Sequence, residues 1–285
     1  MKIRHGIVVA LMVLSFLFPG SAVCQEKPEK SEKPVWELGV GAGLLYIPDY
    51  RGSNESRYYA LPYPYVVYRG DILKVDKQKI SGQIFKTDRL LLNVSFFGSV
   101  PVKSDNNSAR AGMPDLNPTF EIGPALDVTI LENRENSYSL KFSLPVRAVF
   151  STDFSYVRYE GWVVSPRLNF EKSDIIPQTG LHLGISAGPL FGDRGYHNYY
   201  YTVEPAYATA FRPAYDAGGG YSGSTLTIGL SKSYKQLRFN AFASADFLDG
   251  AVFENSPLVK TKTYIMSGAS VSWVFFKSVK TVVVD

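Results

Sequence analysis

Between Trp36 and Phe276 the chain is a succession of segments in which apolar or aromatic residues occupy every second position, with short polar stretches between them. Phe120, Ile122, Pro124, Leu126, Val128 and Ile130 share one parity, while Glu121, Gly123, Asp127 and Thr129 take the other. The next segment sets Tyr138, Leu140, Phe142, Leu144, Val146, Ala148 and Phe150 against Ser139, Lys141, Ser143 and Arg147. A period of two sends successive side chains to opposite faces of a strand. Soluble sandwiches alternate too, but these segments run to about ten residues, as bilayer-crossing strands do, and their polar face carries full charges. A wall with hydrocarbon on one side and water on the other accounts for both features. The expected fold is therefore an all-β transmembrane barrel, antiparallel and up-and-down.

The N-terminus reads as a secretory signal. Lys2 and Arg4 precede an apolar stretch from Ile7 to Phe18 that is short for a helical span, and Pro19-Gly20 breaks it. Cleavage after Ala22 or after Cys24 fits the small residues there; acylation of Cys24 is the rival, weakened by the bulk of Val23. No later run of about twenty uncharged apolar residues follows, so no helical anchor is expected. Cys24 is the only cysteine, which leaves no disulfide and no cysteine-based metal site. Removing residues 1–24 takes away Lys2 and Arg4 and no acidic residue, so the net charge of +4 falls by two. That near-balance argues against a nucleic-acid binder. A mean hydropathy near zero suits a barrel, whose lipid face is offset by lumen and loops. Gln25 to Pro34 is charged and poor in apolar residues, a disordered lead-in. The organisation expected is a signal peptide (1–24), the lead-in (25–34), one barrel (35–276) and a short tail (277–285).

Strands are expected at 36–46, 58–68, 71–76, 79–86, 90–101, 119–131, 137–150, 161–171, 179–190, 223–233, 237–248 and 262–276, about twelve, an even number as single-chain bacterial barrels have. The two short segments between Asp71 and Lys86 could be one strand bent at Gly82. Keeping them separate makes the connections alternate, with 47–57, 102–118, 151–160, 191–222 and 249–261 long and the other set short. Short turns belong to the periplasm and long loops to the outside, which puts both termini in the periplasm. Trp36, Tyr46, Tyr63, Tyr65, Tyr68, Trp162, Phe170, Trp273 and Phe275 lie towards strand ends, where aromatic girdles form.

Charged residues on the polar parity must point inward, since facing lipid would cost kilocalories. They are Glu121, Asp127, Lys141, Arg147, Arg167, His182, Arg238 and Asp246. If the turn 132–136 closes symmetrically, Asp127 faces Lys141 and Glu121 faces Arg147, two cross-strand ion pairs. The same logic across 172–178 puts Arg167 beside His182. These groups can line a selective pore or fill a narrow barrel structurally, and the small bore favours filling.

Catalytic signals are absent. Only His182 and His197 remain after the leader, with no H-E-x-x-H, G-x-S-x-G or phosphate-loop motif. His182 and Ser186 share a face but stand about 13 Å apart by strand rise, too far for proton transfer. His197, among Tyr196, Tyr199, Tyr200 and Tyr201, is expected at the surface of an outer loop. Arg69-Gly70-Asp71 spells an adhesive tripeptide but falls at a tight periplasmic turn, and Gly218-Gly219-Gly220 is expected to be a flexible loop. No enzyme activity, cofactor or metal is expected.

An ordered set of phrases resembles the MipA/OmpV family of outer-membrane proteins, named for an MltA-interacting protein. They are Gly41-Ala42-Gly43; the loop of Pro48, Asp49, Tyr50, Arg51, Gly52 and Ser53; Leu61-Pro62; and Tyr68-Arg69-Gly70-Asp71. Then come the loop of Arg110, Ala111, Gly112, Met113, Pro114, Asp115 and Leu116, and Glu121-Ile122-Gly123-Pro124, so that the likeness runs across roughly 36–276. The resemblance implies a barrel in the outer membrane of a Gram-negative bacterium, surrounded by outer-membrane lipid. It also implies a scaffold that joins a murein-degrading lytic transglycosylase to a murein polymerase. Some relatives are porin-like, so a narrow channel for small solutes is the alternative. A lipid- or murein-modifying enzyme is a third possibility without a residue constellation. The tail after Phe276 could cover a strand end, extend an edge or reach a periplasmic partner.

Overall fold

The computed structural model describes residues 31–69, 73–76, 79–87 and 89–284. The first half of the wall comprises β2 (Trp36–Pro48), β3 (Ser56–Arg69), β4 (Leu73–Asp76), β5 (Lys79–Lys86), β6 (Leu90–Gly98), β7 (Thr119–Asn133) and β8 (Tyr138–Thr152). The second comprises β9 (Val157–Val164), β10 (Arg167–Lys172), β11 (Leu181–Gly192), β12 (Gly220–Tyr234), β13 (Leu237–Phe247) and β14 (Thr263–Lys277). A short helix, α1 (Arg194–Tyr201), interrupts the connection between β11 and β12. Successive strands pair antiparallel, and β14 pairs back onto β2 from Ser267↔Tyr46 to Lys277↔Glu37, closing the sheet.

β9 and β10 are one crossing. Both pair with β8 and with β11, in a single register from Val146↔Val164 to Arg167↔Ser143. The break between them falls where Pro166 stands near Pro145, and neither proline can donate to a ladder. Counted so, the thirteen segments of the wall sheet make twelve strands among the described residues, of which β4, at four residues, is too short to cross a bilayer. The expected signal peptide and residues 25–30 of the lead-in lie outside the described residues, as do Gly70 and Asp71 of the adhesive tripeptide.

Parity fixes the two faces. On β12, Leu226, Ile228 and Leu230 are exposed on the lipid side while Thr227 and Gly229 between them are buried. At the outer end Phe120, Phe150, Tyr159 and Trp162 form a ladder of ring contacts across β7, β8 and β9, and Trp36, Tyr68, Trp273 and Phe275 mark the periplasmic rim. Two expected girdle residues do not belong there. Tyr63 and Tyr65 point into the lumen, Tyr63 against the Oγ of Ser272 and over Gly41, where any Cβ would stand 2.4 Å from its ring. The lipid-facing positions beside them are Pro62 and Pro64.

Three boundaries depart from expectation. The connection expected at 151–160 is mostly strand, because β8 runs to Thr152 and β9 starts at Val157; Asp153 ties the remaining turn by accepting from the N–H groups of Ser155 and Tyr156. The hairpin of β7 and β8 pairs two residues away from symmetric closure, with Glu121 opposite Val149 and a bulge between Thr129 and Leu131. And the reading of 25–34 as wholly disordered fails at its end: β1 (Ser31–Pro34) pairs with β15 (Thr281–Val284) of the tail. The reason is continuity. Ser278 donates to Trp36 and Val35 to the carbonyl of Lys280, so the β2–β14 ladder runs on past the rim as a two-stranded ribbon.

Candidate functional site

The long outer connections pack on one another. Residues 49–55, 99–118, 193–219 and 248–262 contribute Tyr50, Val102, Leu116, Tyr201, Phe253 and Leu258 to one buried apolar cluster outside the strands. Tyr201 and Phe253 stack with ring centroids 3.6 Å apart, and both are essentially sealed from solvent. Helix α1 is started by Asp193, whose carboxylate accepts from the N–H of Tyr196, and it seats Tyr196 on Val149 and Val163 of the inner wall. The result is a folded cap across the outer mouth, with its own core. Burial pushes the Tyr200 hydroxyl up to about 12 and raises those of Tyr50, Tyr199 and Tyr201 as well, so all four stay neutral donors.

The two loops singled out in sequence meet in this cap. Pro48 ends β2; Asp49 then accepts from Arg57 (2.6 Å) and from the Asn107 amide (2.8 Å), which also donates to the Oγ of Ser53. The Tyr50 hydroxyl donates to the carbonyl of Leu258, and the guanidinium of Arg110 lies 5.9 Å from its ring. Gly52, at φ +90°, turns its carbonyl to the N–H groups of Lys260 and Thr261. On the other loop Gly112 takes φ +75°, and Pro114 offers its carbonyl to Ser104 and Arg110. Asp115 accepts from Lys103 and the Ser104 N–H, and Leu116 pairs with Val102.

Beneath the cap, Arg51 reaches down from its loop to Asp246 on the inner face of β13 (3.4 Å) and donates to the carbonyl of Ser222. Asp246 also accepts from Tyr264 and Thr225. His197, expected at the surface, is completely buried: Nδ1 meets the carbonyl of Gly218 and Nε2 the Oγ of Ser222, each at 2.6 Å. Its neighbours are Tyr201 and Phe253, and the exposed-loop expectation failed because α1 folds inward. Gly219, expected to be flexible, is packed instead: a Cβ there would stand 2.8 Å from the N of Arg194. Burial lowers the basicity of His197, with Arg51 adding to the effect and the Gly218 contact opposing it. A serine hydroxyl against an imidazole is also the geometry of a nucleophile and its base. Here both are sealed and the ring is oriented by a carbonyl, so the pair fastens the cap to β12. Among the described residues no group of three or more potential ligands could hold a metal.

Parity sends the expected lumen charges to the inner face, and the partners of several differ from expectation. Glu121 does meet Arg147, at 2.7 Å and with both side chains nearly sealed. They meet diagonally, since the register places Glu121 opposite Val149. The Asp127–Lys141 pair does not form: the shifted register puts Lys141 opposite Thr129, where it meets Glu171 (3.5 Å), while Asp127 accepts from Asn93 (2.7 Å). Arg167 does not stand beside His182 either. Leu168 faces Ala187, so His182 lies roughly 20 Å along β11 by strand rise, and Arg167 donates to the Oγ of Ser165. Arg238 joins Arg69 around Glu37 at the periplasmic end. Glu37 was legible from its parity with Gly39 and Gly41. Arg51, Ser222 and Phe253 were not, because loop-to-wall contacts leave no periodic trace.

A family model described as MltA-interacting protein MipA matches residues 40–275. Outer membrane protein OmpV of Vibrio cholerae serotype O1 is 24% identical over 278 residues, covering 94% of this chain and 99% of its own. Outer membrane protein Omp26La of Vibrio anguillarum is 22% identical over 214 residues, 73% of this chain and 76% of its own. Among solved structures a bacterial polysaccharide outer membrane secretin overlaps 86% of this chain and 99% of its own, at 9% identity and a TM-score of 0.41, too loose to carry more.

Proposed function

We propose that this chain, which belongs to the MltA-interacting protein MipA family, is a non-enzymatic scaffold that holds murein-processing enzymes at the inner side of the outer membrane. Its place is the outer membrane of a Gram-negative bacterium, where it is a β-barrel. The partners proposed are a lytic transglycosylase, after the family's name, and a murein polymerase.

The observation that carries this reading is the asymmetry of the two ends. Outside, four loops are consumed in a cap knit by hydrogen bonds among its own residues, and the family-motif residues 48–53 and 110–116 serve that packing. On the periplasmic side the β1–β15 ribbon extends beyond the rim with both outer edges unpaired among the described residues, a surface that another chain can engage. The lumen charges are assigned to structural filling, since Glu121 with Arg147, Lys141 with Glu171 and Glu37 with Arg69 and Arg238 are held in ion pairs.

Direct binding between the purified barrel and a lytic transglycosylase tests the proposal, with saturable association expected. Its absence under mild crosslinking in intact envelopes counts against a scaffold. The charged lumen sustains one competitor, a narrow channel. Planar-bilayer recording separates the two: a silent barrel is expected, and steady stepwise conductance decides for the channel.

A further inference from the structure

The wall is not evenly stitched. β3 pairs with β2 along its whole length, from Trp36↔Tyr68 to Pro48↔Ser56. On its other side it pairs with β4 only at Tyr68↔Val75 and Arg69↔Lys74 among the described residues. The hairpin of β4 and β5 turns back beyond Asp76↔Lys79, so among the described residues β3 from Ser56 to Val67 has no second strand beside it.

The chain direction settles which backbone groups face that gap. Arg69 donates its N–H to Val35, on the β2 side, and the β2–β3 register carries no bulge. Odd-numbered residues of β3 therefore donate towards β2, and even-numbered ones towards the gap. Two of those even positions are Pro62 and Pro64, which have no N–H. An unsatisfied donor facing hydrocarbon costs several kcal/mol, and proline in a sheet is confined to edges. The sequence thus removes two donors where the wall lacks a neighbour. The same absence makes the edge a poor site for an added strand, which would find two ladder bonds missing.

Behind the gap lies an apolar patch of the inner face. Leu45, Ile47, Val100 and Phe242 form a buried cluster below the cap, and Tyr59 and Leu61 of β3 pack against it from the edge itself.

We propose that the unpaired stretch of β3 is a lateral window through which a lipophilic small molecule, of the acyl-chain type, passes between the bilayer and this apolar patch inside the barrel. The cap obstructs the axial route on the outside, and the window opens sideways into hydrocarbon. This does not depend on the scaffold reading.

The test uses the full barrel in liposomes, with Cys24→Ser as background and a fluorophore on Leu61→Cys. A doxyl-labelled fatty acid is the quencher. Quenching is expected to be severalfold stronger than for the same fluorophore on Ser244→Cys, an inward position on the fully paired β13. Equal protection of the two sites means a sealed wall and overturns the proposal. A second readout needs no ligand. Pro62→Val with Pro64→Val restores two donors to the edge, so edge-to-edge dimers are expected in detergent, while the unaltered chain stays monomeric. A double variant that remains monomeric, with its heat-modifiable mobility intact, shows that this edge is already paired and also overturns the window.

Discussion

Glu121 and Arg147 show what a single residue decides in this wall. Each is within hydrogen-bonding distance of the other and nearly cut off from solvent, so neither can lose its partner cheaply. Glu121→Ala is expected to lower stability in micelles by about 3 kcal/mol or more, read from the urea midpoint, because an unpaired guanidinium is left in the barrel. Arg194 and Asp216 form the control pair: both are about two-thirds exposed, and Arg194→Ala should shift the midpoint by less than about 1 kcal/mol. His197 sets the pH response of the cap. Burial keeps its imidazole neutral while the cap is closed, and an open cap takes up the proton near the ordinary histidine value of about 6.5. Cap stability is then full above that pH, declines as pH falls below it, and levels off once the lowered folded value is passed. Protease cleavage of the outer loops should rise between about pH 7 and pH 5. The same profile should be flat in His197→Asn.

Among the elements, the cap and the β3 edge behave differently from the strands that bear them. The cap has a hydrophobic core separate from the wall, centred on the stacked Tyr201 and Phe253. Phe253→Ala is expected to cost the cap about 3–5 kcal/mol, exposing Lys260 and Lys262 to trypsin on intact cells while the barrel keeps its heat-modifiable mobility. Loss of that mobility as well would mean that cap and wall fold as one unit. Strand positions were legible because one face meets lipid and the other water, which imposes a period of two over many residues. Cap packing was not. Tyr50 meets Leu258 across 208 residues and Arg51 meets Asp246 across 195, and neither contact repeats. Pro62 and Pro64 were visible all along as residues out of place in a central strand, but their meaning needed the register of β2 against β3.

For the molecule as a whole, the seam where the ends of the chain meet is the part most exposed to partners. β14 closes on β2, and the same ladder continues into the β1–β15 ribbon. Deleting residues 278–285 is expected to leave the closed sheet intact, since β14 ends at Lys277, and to weaken association with a lytic transglycosylase measured by biolayer interferometry. Unchanged association would move the docking surface to the periplasmic turns. The count of twelve wall strands was accessible beforehand from the alternation of long and short connections, even though the 151–160 loop proved to be mostly strand.

Alternation, an even strand count and the sidedness of the loops were open to inspection in the amino-acid order, since each follows from local periodicity and connection length. Which inward charges meet was not, because a single bulge beside Ile130 and a two-residue register change re-assign Lys141 to Glu171 without altering any parity. Whether outer loops splay or fold together depends on apolar contacts between segments far apart in the chain, so the cap, buried His197 and the open side of β3 emerge only when the strands are assembled. Parity is a property of neighbours along the backbone; partnership is a property of neighbours in space.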